Sequence, residues 1–75
     1  MNERDILRGM ESRHRPDRVM IKNNELIVVD YKTGKRSESH FMQVQGYLQD
    51  FQKMNYPQPK GYIWYLSDNE LVELT

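Results

Sequence analysis

Arg15-Pro16-Asp17-Arg18-Val19-Met20-Ile21-Lys22-Asn23-Asn24-Glu25-Leu26-Ile27-Val28-Val29-Asp30-Tyr31-Lys32 is the stretch that decides how this chain folds. Apolar residues alternate with others on both sides of Asn23-Asn24. Asparagine tolerates the positive φ that a two-residue hairpin turn needs at both central positions. The pattern predicts strands over 16–22 and 25–31, with Lys22 opposite Glu25, Ile21 opposite Leu26 and Val19 opposite Val28. Continued in the same register, Asp17 lies opposite Asp30. Directly opposed residues share a sheet face with their Cβ atoms about 4.5–5.5 Å apart, where two like charges destabilise unless something compensates. Lys32, two residues beyond Asp30, projects to the same side. Two carboxylates and an ammonium thus gather at one end of a face otherwise made of Val19, Ile21, Leu26 and Val28.

Outward from the hairpin, Thr33 to Ser39 is polar, contains Gly34 and reads as a loop. Ser37 or Ser39 can cap a helix in which Phe41, Val44, Leu48 and Phe51 recur at spacings of three and four, ending near Met54 before Pro57 and Pro59. Gly61 to Leu66 is aromatic-rich and β-prone, Ser67-Asp68-Asn69 is a turn, and Glu70 to Leu74 is a last short strand. Upstream, Ile6, Leu7 and Met10 among charges fit a short strand or a helical turn equally well. The expected fold class is α/β of the mixed α+β kind. Its order is β-β-β-α-β-β, with the first strand open and the helix packed on one sheet face.

The chain has 75 residues, which holds one domain, and its mean hydropathy of −0.91 means that a few strong segments must supply the core. Its longest aliphatic run, Leu26 to Val29, is far short of a membrane span or a signal-peptide core. The chain has no cysteine and two histidines, so neither a disulfide framework nor an ordinary zinc site can be assembled. We expect a cytosolic protein. Eleven basic and eleven acidic side chains cancel, which argues against coating nucleic acid by charge alone. Residues 8–36 nevertheless carry eight basic against four acidic groups, and residues 37–75 two against five. One end of the molecule should be basic and the other acidic.

A cation is the natural partner of the two carboxylates. Mg²⁺ is held by one or two carboxylates, keeps several waters and takes substrate phosphate as well. Such a site can activate water and neutralise charge on a phosphodiester. A lysine amine ordinarily titrates near 10.4, so Lys32 suits an electrostatic and positioning role better than that of a general base.

Arg15-Pro16-Asp17-Arg18-Val19, followed by Ile27-Val28-Val29-Asp30-Tyr31-Lys32-Thr33-Gly34-Lys35, resembles the two central motifs of the PD-(D/E)XK nuclease superfamily. More narrowly it resembles the RecB/AddA-type nuclease domain at the C-terminus of UvrD-related helicases, whose helical Q-x-x-x-Y motif matches Gln43-Val44-Gln45-Gly46-Tyr47. The resemblance runs from about Glu3 to the C-terminus and implies a restriction-endonuclease-like core. It further implies that Asp17 and Asp30 ligate Mg²⁺ or Mn²⁺, with the Tyr31 carbonyl a third ligand, and that Lys32 is the catalytic lysine. Gln43 and Tyr47, one helical turn apart, would contact the scissile strand or hold Lys32. Glu3 matches an acidic position ahead of the first strand, as a further metal ligand.

The implied activity is that of a deoxyribonuclease, exonuclease V-like, degrading strands delivered by a helicase motor in double-strand break repair or recombination in a bacterial-type cytosol. The alternative is a non-catalytic module that binds DNA or its helicase. The family's first helix, which in this branch supplies a histidine ligand, has no counterpart in the sequence. We therefore expect a C-terminal core of a larger enzyme, with one sheet face uncovered and open to self-association. Among secondary candidates, Arg15, Arg18, Lys35 and Arg36 flank the carboxylates and could meet DNA phosphates. His14 and His40 read better as surface or cap-region residues than as site residues. Tyr62, Trp64 and Tyr65 could stack on bases, but core packing is the simpler expectation in so small a domain.

Overall fold

A computed structural model of the chain describes residues 15–56 and 58–74. Its elements are β1 (Arg18–Lys22), β2 (Glu25–Lys32), α1 (Glu38–Lys53), β3 (Lys60–Tyr65) and β4 (Glu70–Leu74). The four strands form one sheet in the order β1-β2-β3-β4. Pairing is antiparallel between β1 and β2 and between β3 and β4, and parallel between β2 and β3, which α1 connects. This is the mixed α+β architecture expected, consistent with a restriction-endonuclease-like core. Glu3, His14 and the expected first strand or helical turn lie outside the described residues.

The β1–β2 hairpin has the expected register, from Lys22 opposite Glu25 to Val19 opposite Val28. Asn23 and Asn24 both hold positive φ, 54° and 65°, so the turn is the primed type that matches strand twist. The ladder stops at Arg18 opposite Val29. Asp17, the next position in register, is therefore not a strand residue, and residue 16, which would follow it opposite Tyr31, is a proline with no N–H to offer.

Helix α1 begins at Ser37, whose side chain accepts from the Ser39 N–H. It ends in a Schellman motif: Tyr56 N–H donates to Phe51 C=O, Asn55 N–H donates to Gln52 C=O, and Asn55 takes a φ of 71°. The accompanying apolar contact is the edge-on packing of Tyr56 against Phe51, ring centroids 6.0 Å apart.

Strand alternation puts Val19, Leu26, Val28, Ile63 and Tyr65 on the face that α1 covers, where Val44, Tyr47 and Phe51 meet them to form the core. Ile21 shares that face but lies on the edge strand and stays 46% exposed. The same alternation corrects the expectation for the aromatic strand, because only Tyr65 enters the core. Trp64 and Tyr62 point to the opposite face, where Trp64 packs edge-on to Tyr31 and Tyr62 donates to Glu73. Among the described residues no helix covers that face. No described helix is long and apolar enough to cross a membrane.

The helix lies close over β3 because position 61 has no side chain. A Cβ there would sit 2.9 Å from Val44 Cγ1 and 3.0 Å from Leu48 Cδ1. Val44 is fully buried and cannot yield. Replacing glycine in a strand usually gains up to about 1 kcal/mol from the unfolded chain, whereas overpacking costs about 1–3 kcal/mol. Gly61→Ala should therefore lower the urea midpoint of unfolding, and an unchanged or raised midpoint would show that α1 can move off the sheet freely.

Candidate active site

Residues 30 and 32 end β2 on the helix-facing side, the carboxyl end of a parallel strand pair where open α/β sheets usually place ligands. Asp30 is 4% exposed, two residues beyond the core residue Val28 on the same face, and paired in register with Ile63. It is the one charged group buried among the described residues. Lys32 Nζ stands 3.0 Å from Asp30 Oδ2. The contact pairs the charges, yet Oδ2 has no well-aligned hydrogen bond, so its lone pairs are left unfilled. Lys32 Nζ donates to Gln43 Oε1 at 2.6 Å, and Gln43 Nε2 donates to Tyr47 Oη at 3.0 Å. Because the ammonium can only donate, the Gln43 carbonyl must face it and the amide group must face Tyr47.

Asp17 arrives by a route different from the one the register suggested. Its Oδ2 accepts from the Tyr31 N–H at 2.9 Å. That donor lies past the end of the ladder, and a carboxylate takes it where Pro16 stands in register. The bond carries the Asp17 carboxylate up against that of Asp30. Burial pushes the Asp30 carboxyl above the ordinary carboxylate range, Lys32 draws it back, and Asp17 raises it further. The Tyr47 phenol is also raised, first by burial and then by the Asp30 and Asp17 carboxylates.

The structure thus brings Asp17, Asp30, Tyr31, Lys32, Gln43 and Tyr47 together. It separates others from them. Arg36 forms an ion pair with Glu70, its Nε donating at 2.9 Å, so it is engaged within the fold. Arg15, Arg18 and Lys35 are exposed. His40 Nδ1 lies 3.0 Å from Tyr65 Oη, which makes it a prop for a core side chain. Beside the cluster, Met42, Gln43, Gly46, Tyr47 and Asp50 line an open groove of about 260 Å³ on α1. The sequence reading overlooked it, although a glycine inside a helical pattern was a signal for a packing or functional reason.

A family model of the PD-(D/E)XK nuclease superfamily matches residues 10–74. The chain belongs to that superfamily. No curated protein and no solved structure matches it significantly. PD-(D/E)XK nucleases generally act with divalent metals such as Mg²⁺, and two features here fit such an ion. A buried Asp30 oxygen lacks a hydrogen-bond partner, and a second carboxylate lies against it. No cluster of three or more His, Cys, Asp or Glu forms among the described residues, and the two carboxylates that do meet, Asp17 and Asp30, are of the oxygen-donor kind that suits Mg²⁺.

The raised Asp30 pKa means that the folded chain holds this proton more tightly than the unfolded chain, whose carboxyl titrates near 3.8. Asp30 thus adds stability below that pH and loses it as pH rises through the native pKa. In EDTA, the urea midpoint of Asp30→Asn should match that of the unsubstituted chain near pH 3 and exceed it at pH 7. A lower midpoint at pH 7 would mean that the Lys32 pair outweighs burial.

Proposed function

We propose that this chain is a RecB/AddA-type nuclease domain that hydrolyses DNA phosphodiesters with Mg²⁺ or Mn²⁺, exonuclease V-like in action. It would work on strands delivered by a UvrD-like helicase motor, in double-strand break repair or recombination in a bacterial-type cytosol. The observation that carries the reading is the continuous set Asp17, Asp30, Lys32, Gln43 and Tyr47, built from three separate segments and converging at the end of β2.

Asp17 and Asp30, with the Tyr31 carbonyl, would hold the divalent ion. When bound, the ion supplies a water of lowered pKa and positive charge beside the phosphodiester. Lys32 presents an ammonium at the same edge, able to neutralise charge that develops on the phosphate in the transition state. Gln43 accepts from the Lys32 amine that also pairs with Asp30, and Tyr47 in turn fixes Gln43. Positioning of this kind matters because a lysine stem is otherwise free to rotate. Exposed Arg15, Arg18 and Lys35 would contact DNA phosphates, as Arg36 could once released from Glu70. The sheet face opposite α1, with Trp64 38% and Leu71 59% exposed, would be covered by the motor or by a second copy of the chain.

Linear DNA should be degraded by the chain in Mg²⁺ or Mn²⁺ and left intact in EDTA. Asp30→Ala and Lys32→Ala should each slow degradation by roughly 100-fold or more, the usual cost of deleting a charge that stabilises a transition state. Cleavage unaltered by Asp30→Ala would remove the proposed site. DNA binding without cleavage by the unsubstituted chain would favour a non-catalytic module.

A further inference from the structure

The groove on α1 has its own chemistry. At about 260 Å³ it is smaller than the roughly 300–1,000 Å³ of pockets that enclose drug-sized ligands, so it suits a single flat ring. Gly46 sits inside a 16-residue helix, where glycine is the poorest residue after proline. Packing does not require it there, since a Cβ at position 46 would meet nothing within 4 Å. What its missing side chain preserves is the open space of the groove. Met42, which also lines the groove, is 65% exposed and leaves its thioether open to a ligand. At the far end the Asp50 carboxylate has no side-chain partner among the described residues. Among the described residues no lysine or arginine lines the groove, so its Asp50 end disfavours a phosphate, whereas an uncharged ring carrying hydrogen-bond donors is matched. Gln43 and Tyr47 form its wall on one side and belong to the carboxylate–lysine cluster on the other.

We propose that this groove is a nucleobase subsite, which takes the base of the nucleotide adjoining the scissile phosphate. The proposal rests on the nuclease reading above, because it seats that phosphate at Asp30 and Lys32. The ring lies over the backbone at Gly46 with the Met42 thioether against it, a favourable sulfur–aromatic contact. Its exocyclic amino group donates to Asp50, as carboxylates accept from cytosine N4. Cytosine, adenine and guanine carry such a group and thymine does not. The subsite would therefore discriminate against thymine.

Mononucleotides have no phosphodiester to cleave, so binding can be followed in Mg²⁺ by ¹H–¹⁵N NMR, with dCMP, dAMP, dTMP and deoxyribose 5-phosphate as probes. The amides of Gly46 and Asp50 should shift with dCMP and dAMP, and with dTMP only at about tenfold higher concentration, the weight of one hydrogen bond. Deoxyribose 5-phosphate should move signals near Lys32 alone. Gly46→Leu should remove the Gly46-region response and slow DNA degradation about tenfold, and Asp50→Asn should bring dTMP level with dCMP.

Shifts at Asp30 and Lys32 with none at positions 46 and 50, or no shifts with any nucleotide, would overturn the subsite. Undiminished cleavage by a folded Gly46→Leu chain would overturn it while leaving the nuclease reading intact. A chain that fails to cut DNA yet shows the nucleotide shifts would keep the groove as a nucleobase site while refuting the nuclease and, with it, the assignment to a scissile nucleotide.

Discussion

The rest of the site depends on a carboxylate kept where water cannot reach it. Asp30 occupies a core-facing position on a central strand, and burying an ionised carboxyl without full compensation is among the most expensive things a small fold can do. Lys32 answers part of that cost through charge, but with an alignment that leaves one oxygen unfilled. Asp17 works in the opposite direction, adding a second negative charge. A layer with two carboxylates and one ammonium is short of one positive charge. Structural economy alone would have removed Asp17 or Asp30, so the deficit points to a function rather than to packing.

The arrangement holds because its supports are independent of its charges. The Asp17 carboxylate is fixed by a backbone donor that the sheet leaves over, not by any attraction to its neighbours. Gln43 and Tyr47 come from a helix whose height over the sheet is set by the bare backbone at Gly61 and whose ends are capped at Ser37 and Asn55. Strong local geometry at these points lets the centre remain electrostatically strained. Of the two exposed ion pairs between the halves among the described residues, Arg36–Glu70 follows the charge asymmetry along the sequence and Lys60–Glu25 runs against it.

Much of this was legible in the residues. Asn23-Asn24 fixed the turn type, the turn fixed the register, and the register put Val19 opposite Val28 and Asp30 on the core face. Motif order then distinguished Lys32, Gln43 and Tyr47 from ordinary surface residues. What periodicity could not give was anything decided where a repeat stops. Extending the ladder to Asp17 reached the correct neighbourhood through the wrong interaction, because strand pairing ends when Pro16 comes into register. Trp64 and Tyr62 were assigned to the core on composition, although alternation in β3 sends residues 62 and 64 to the far face once Gly61 and Ile63 face the helix. The groove at Gly46 depends on what surrounds a missing side chain, which a one-dimensional pattern does not record.

These features bear on how so neutral a chain could engage a polyanion. Affinity for nucleic acid grows with the number of phosphates neutralised by lysine and arginine. Among the described residues Arg36 is committed to Glu70, Lys60 to Glu25, and Lys32 to Asp30 and Gln43, which leaves Arg15, Arg18 and Lys35 as the exposed candidate cations. Electrostatic grip from these three is sensitive to salt. A strand at Asp30 and Lys32 is then held in part by contacts of another kind. Contacts with uncharged parts of the strand lose little to screening and act only on a strand already in place.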